Sequence, residues 1–112
     1  MSKGDHLGEL EELILLTVGS LYGEAYGVSI MDEIKAQSGR ELNVSAVHAV
    51  LKRLETKGYL KSYMGGATQE RGGRRKRYFT LTQAGKLTLD QSMSYRMKLY
   101  NNIPDISFNF SA

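Results

Sequence analysis

Residues 72–79 read Gly72-Gly73-Arg74-Arg75-Lys76-Arg77-Tyr78-Phe79, four consecutive cations behind a glycine pair. Adjacent cations repel one another and gain little from folding, so such a run marks a surface for a polyanion. The bland alternative is a solvated loop kept basic for solubility. Upstream, Val44–Lys57 has the apolar spacing of a helix whose open side carries Ser45, Ala46, His48, Ala49, Lys52 and Arg53. An α-helix fits the DNA major groove, its leading residues reaching base edges and its later cations reaching phosphates. Ser45, Ala46, His48 and Ala49 form that leading end, where small alanines permit close approach and contact with a thymine methyl. Lys52 and Arg53 follow one turn later. The alternative for Arg53 is an ion pair with an acidic side chain of an earlier helix, and Glu55 reads as structural.

Strand alternation sends neighbouring side chains to opposite faces, so the cations of the basic run cannot all meet one ligand. Arg71, Arg74 and Arg75, nearest the tip, are expected to carry most phosphate contact; Lys76, Arg77 and Lys61 complete the set. If each copy of a dimer neutralises about four to six phosphates, the log–log salt slope is about −7 to −11. Catalytic chemistry finds no support. The two histidines are His6, near an end, and His48, on the groove-facing helix; Ser45 and His48 on one helix lack an orienting third group and an oxyanion site. No His/Asp/Glu cluster has metal-ligand spacing. The glycines at 65, 66, 72 and 73 lack the phosphate-loop spacing and read as turn formers, so no cofactor or metal is expected. Arg71-Gly72-Gly73 is a single copy of an RNA-associated tripeptide.

These residues need elements to hold them. Leu7, Leu10, Leu13, Ile14, Thr17, Val18 and Leu21 recur at helical spacing, predicting a helix over 7–22 that Leu15 and Leu16 make deeply buried. Glu9, Glu11 and Glu12 favour its first turns through the helix dipole. A second helix is expected over 26–38, with Ile30, Met31 and Ile34 inward and Gly39 as its C-cap. A brief extended segment is expected at Arg40–Asn43. Ser45 is the expected N-cap of the third helix, which turns Val47, Val50, Leu51 and Leu54 inward and ends at Gly58. Tyr59–Met64 and Arg75–Leu81 read as antiparallel strands around a Gly/Thr/Gln/Glu-rich tip. Phe79 and Leu81 face the core, and Tyr78 faces away. Thr82 caps a fourth helix running to about Tyr100, whose stripe of Leu89, Met93, Met97 and Tyr100 has no evident core to cover and is expected to meet another subunit. Residues 101–112 form a polar tail holding Phe108 and Phe110.

At 112 residues the chain is one domain with a small core that a second subunit would help stabilise. No stretch is long and apolar enough to span a membrane, the amino terminus lacks a signal-peptide pattern, and there are no cysteines; a cytoplasmic protein is the default. Residues 1–40 carry three cations (Lys3, Lys35, Arg40) against seven anions, net −4, and residues 41–112 carry twelve cations against five anions, net +7. An acidic front and a basic rear imply one face for nucleic acid and one turned away from it.

The order helix, helix, short strand, helix, strand, strand, helix is that of a winged helix-turn-helix. Four runs resemble the PadR family of bacterial transcriptional regulators: Leu13-Ile14-Leu15-Leu16; Ala25-Tyr26-Gly27-Val28; Leu51-Lys52-Arg53-Leu54-Glu55 with Lys57-Gly58-Tyr59; and Arg77-Tyr78-Phe79-Thr80-Leu81-Thr82 with Gly85. The single helix after the wing resembles the small subclass, where that helix makes the dimer. The resemblance implies a dimeric winged-helix repressor bound to a palindromic operator, the third helix in the major groove and the wing on the backbone or minor groove. It also implies a small aromatic or drug-like effector as a partner. Where the family commonly has Gly-Thr-Leu-Tyr at the start of the recognition helix, this chain has Ser45-Ala46-Val47-His48, putting His48 at the place of an operator-contacting tyrosine. The last helix lacks the tryptophan of some small members, leaving Tyr95 and Tyr100 as its aromatics.

The expected fold is α+β, mainly α: a winged-helix unit over 1–81, a dimerisation helix over 82–100 packed on it, and a tail. The expected partners are double-stranded DNA and a second copy, with no membrane. A protein-interaction adaptor and a non-specific RNA or single-strand binder are the competing readings; the latter would want more aromatics among the cations than Tyr78 and Phe79.

Overall fold

The apolar stripe of the first segment folds as α1, Glu9–Ser20, in the computed structural model, which describes residues 6–65 and 75–106. Ile14, Leu15 and Val18 are fully buried, whereas Leu16, expected inside, is exposed beside a shallow cleft against Ile34 of the next helix. α2, Gly27–Ser38, buries Ile30 and Ile34 and leaves Met31 half-buried. Its end is set by Gly39, whose φ of +74° is the left-handed conformation that terminates helices. α3, Val44–Thr56, buries Val47, Val50, Leu51 and Leu54, the four expected positions. Its N-cap is Asn43 rather than Ser45: the Asn43 side-chain oxygen accepts hydrogen bonds from the amides of Ser45 (2.8 Å) and Ala46 (3.2 Å). Both residues are good caps, and the one placed two and three residues before free amides prevails.

β1, Leu60–Met64, pairs antiparallel with β2, Arg77–Leu81, in the register Leu60↔Leu81 through Met64↔Arg77. Leu60 and Phe79 close the core from one face. The extended piece expected at Arg40–Asn43 is absent. Its role falls instead to Ala25 and Tyr26 between α1 and α2, where the Phe79 amide donates to the Ala25 carbonyl at 2.8 Å and Tyr26 bridges Tyr78. β2 is therefore the middle of three extended segments, which ties the wing to the turn that starts α2.

α4, Gln83–Asn101, begins at Thr82, whose hydroxyl donates to the Gly58 carbonyl and accepts from the Gly85 amide at 3.0 Å. This helix does have core to cover at its start. Leu89 is buried with the α1 and α3 side chains, and Gly85 sits so close to Tyr59 that a Cβ there would lie 2.2 Å from the Tyr59 carbonyl oxygen. Beyond Met93, residues 94–101 are all exposed. No helix among the described residues is long and apolar enough to cross a membrane.

Candidate nucleic-acid interface

α3 separates its residues cleanly. With Val47, Val50, Leu51 and Leu54 buried, the opposite side presents Ser45, His48, Ala49, Lys52 and Arg53 as exposed residues and Ala46 as half-buried. His48 lies over the start of α2, close enough to Gly27 that a Cβ there would stand 3.2 Å from the His48 Cε1 atom. The small residue lets the imidazole rest on the neighbouring helix end. Lys52 makes no ion pair with a described residue. Arg53 does: its Nε donates to Glu11 Oε2 of α1 at 2.9 Å, the alternative that the sequence offered for it. Half of the Arg53 side chain stays in solvent, so its outer nitrogens remain available to a phosphate.

The pairing register sorts the wing. Lys61 and Tyr63 share one face of the ribbon with Tyr78 and Thr80; Ser62, Met64, Arg77 and Phe79 share the other, which looks toward α3. On that side Arg77 Nη1 donates to Ser62 Oγ (2.9 Å) and Ser62 donates to Glu55 Oε2 (2.7 Å), a chain linking the wing to α3. Glu55 is thus tied to the wing through Ser62. Lys76 folds back, its Nζ 4.0 Å from the centre of the Tyr26 ring, a cation–π contact. Tyr26 meets Tyr78 edge-on at 5.5 Å, and Tyr63 stacks on Tyr78 at 5.6 Å, so the outer face is an aromatic ladder. Lys61 and Arg75 are exposed and make no ion pair with a described residue. Arg71 and Arg74, like Gly66, Gly72 and Gly73, lie outside the described residues.

Two site features escaped sequence reading. Glu11 and Glu12, taken for dipole partners, are buried. Glu11 Oε1 accepts from the Gly8 amide (2.9 Å), while Oε2 accepts from Arg53 and from Lys57 (3.0 Å). Burial alone would raise its carboxyl, but the Gly8 amide and the two cations outweigh it and hold the group below the usual carboxylate range. Glu12 Oε2 accepts from the Ser92 hydroxyl and from Arg96 Nε (3.1 Å), both on α4. The available signal was position: Glu11 falls four residues after Leu7 and three before Ile14, inside the apolar stripe.

Of the four residues expected to meet a second subunit, Leu89 is inside this chain's own core and Met93 is half-buried, whereas Met97 and Tyr100 are exposed. They are accompanied by Leu87, Tyr95, Leu99, Ile103 and Ile106, all more than half exposed. A cleft of about 580 Å³ between the start of α1 and α4 is lined by Leu7, Tyr59, Gln91, Ser92, Tyr95 and Arg96 among others, and by none of Met93, Met97 or Tyr100. No group of three or more metal-ligating side chains occurs among the described residues.

Residues 14–91 match the sequence model of the transcriptional regulator PadR-like family. The chain belongs to that family. Its members are transcriptional regulators rather than enzymes, and the winged-helix fold agrees. A PadR-like transcription factor from Bacteroides fragilis aligns with a TM-score of 0.70 at 23% identity, over 84% of this chain and 85% of its own. A PadR family transcription regulator from Clostridium difficile R20291 aligns at 0.63 and 30% identity, over 84% of this chain and 96% of its own. Bacillus subtilis PadR in complex with operator DNA aligns at 0.64 and 21% identity, over 92% of this chain but 53% of that longer one. No curated protein matches the sequence.

Proposed function

We propose that this PadR-family chain is a dimeric, sequence-specific DNA-binding repressor, cytoplasmic, with α3 in the major groove and the wing on the backbone or minor groove. The observation that carries the reading is the polarity of α3: Val47, Val50, Leu51 and Leu54 are buried, and the other side offers Ser45, His48, Ala49 and Lys52 to a partner. Lys61 and Arg75 extend the positive surface onto the wing. The operator complex of the Bacillus subtilis relative supports DNA as the ligand. Residues 1–81 form the reading unit, and the apolar side of α4 past Met93 joins two copies, so that paired α3 helices meet a two-fold site. A small aromatic or drug-like effector belongs to the same reading.

Selection of bound sequences from a random duplex pool tests this directly. The expected outcome is a palindrome with half-sites about one helical turn apart. In its defining comparison, His48→Ala changes which bases are preferred, whereas Arg74→Ala with Arg75→Ala weakens all sequences alike. Recovery of no enriched sequence, with binding to a protein partner instead, would leave the adaptor reading.

A further inference from the structure

Glu11 and Glu12 are successive residues on α1, so their side chains leave the helix about 100° apart. Each is buried, and each is gripped by two donors one helical turn apart on a different helix. Arg53 of α3 and Lys57, its C-cap, hold Glu11, and Ser92 and Arg96 of α4 hold Glu12. α1 is therefore a strut clamped by the same device to the helix that reads and to the helix that protrudes. The Glu12 tie is also the polar contact farthest along α4 between that helix and the rest of the described chain. Earlier ties, at Thr82, Gly85 and Leu89, fix only its start. Past Arg96 the helix carries Met97, Leu99 and Tyr100 into solvent.

From this we infer that Glu12, acting through Ser92 and Arg96, is a positioning residue that sets the distance between the two half-sites the protein reads. The inference rests on the dimeric reading proposed above. In that dimer the angle at which α4 leaves the body fixes how far apart, and at what rotation, the two α3 helices stand. Beyond those ties at its start, the apolar packing of Leu89 tolerates rotation that a buried carboxylate with two oriented donors does not. Glu11 has the complementary task, holding α3 to α1 within one copy, and so affects every half-site equally.

The test uses the selected half-site, placed in pairs on duplexes whose separation varies one base pair at a time, with binding and self-association measured for each protein. For Glu12→Gln and Arg96→Ala, the dimer persists and the half-site bases stay the same, but the preference for the best separation over its neighbours falls about tenfold, the effect of one charge-assisted hydrogen bond. Arg96→Lys restores part of that preference. Glu11→Gln lowers affinity at all separations alike. Arg96 is half in solvent, so its alanine variant keeps the core intact. Unchanged separation preference in both variants, or an equal loss at every separation, overturns the inference while leaving the DNA-binding reading standing. A wild-type protein that binds single half-sites without regard to pairing overturns the dimeric reading itself.

Discussion

α3 and α4 are both helices with one side packed on the same core, yet they differ in how much large apolar surface they leave in solvent. α3 buries four apolar side chains and exposes serine, histidine, alanine and lysine. α4 buries only Gly85 and Leu89 and exposes Leu87, Tyr95, Met97, Leu99 and Tyr100. A polar, cationic face rests comfortably in water until a polyanion arrives, whereas apolar side chains left in solvent are costly there. Burial shows what holds each helix; the side left in solvent is the one the proposed DNA and subunit contacts would use.

The contrast can be broken first through stability. Leu51→Ala, deep under α3, should cost about 2–5 kcal/mol in urea unfolding. Leu99→Ala, on the exposed part of α4, should change the unfolding of the isolated chain by less than about 0.5 kcal/mol. Similar losses at both would mean that α4 is packed as tightly as α3. Next comes assembly. Met97→Glu with Tyr100→Glu should turn dimers into monomers in light scattering, with helix content retained, and a wild-type monomer at micromolar concentration would remove the basis for the contrast.

Acid supplies a finer probe of the α3 side. The folded-state value of Glu11 is lowered, so its stabilisation is complete above the ordinary carboxylate range and lost as pH falls through the lowered value. The stability gap between wild type and Glu11→Gln should therefore be full at neutral pH and close below about pH 4, measured by urea titration at a series of pH values. The smallest effect concerns a single wing cation: Arg75→Ala, which removes one phosphate contact from each copy of the dimer, should lower the magnitude of the salt slope for duplex binding by about 2. A slope that does not move would take Arg75 out of the phosphate-contacting set.

Much of this arrangement was legible in the chain. The stripes at 13–18, 30–34 and 47–54 gave three helices, Thr82 and Gly39 gave an end each, and β-favouring runs on either side of glycines gave the ribbon. The miss at Arg40–Asn43 has a plain cause. The third extended segment is two residues long, Ala25 and Tyr26, too short for any alternation to register, and it exists only because β2 offers it an edge. The site was less legible than the fold. Arg53 and Glu11 are 42 positions apart, and nothing local says which acid an arginine will choose. Alternation separated Lys76 from Arg77 without revealing that one would lie over a tyrosine ring and the other reach α3 through Ser62. Local rules see spacing; they do not see which partners the topology brings within reach.

The tyrosine ladder has one more consequence. The chain contains no tryptophan, so its ultraviolet emission and near-ultraviolet dichroism come from seven tyrosines and three phenylalanines. Tyr26, Tyr63 and Tyr78 are in ring contact, one of them on the turn before α2 and two on the ribbon. Any swing of the ribbon against the body must alter how those rings couple, which gives the protein a built-in optical gauge of its own wing, readable without a label.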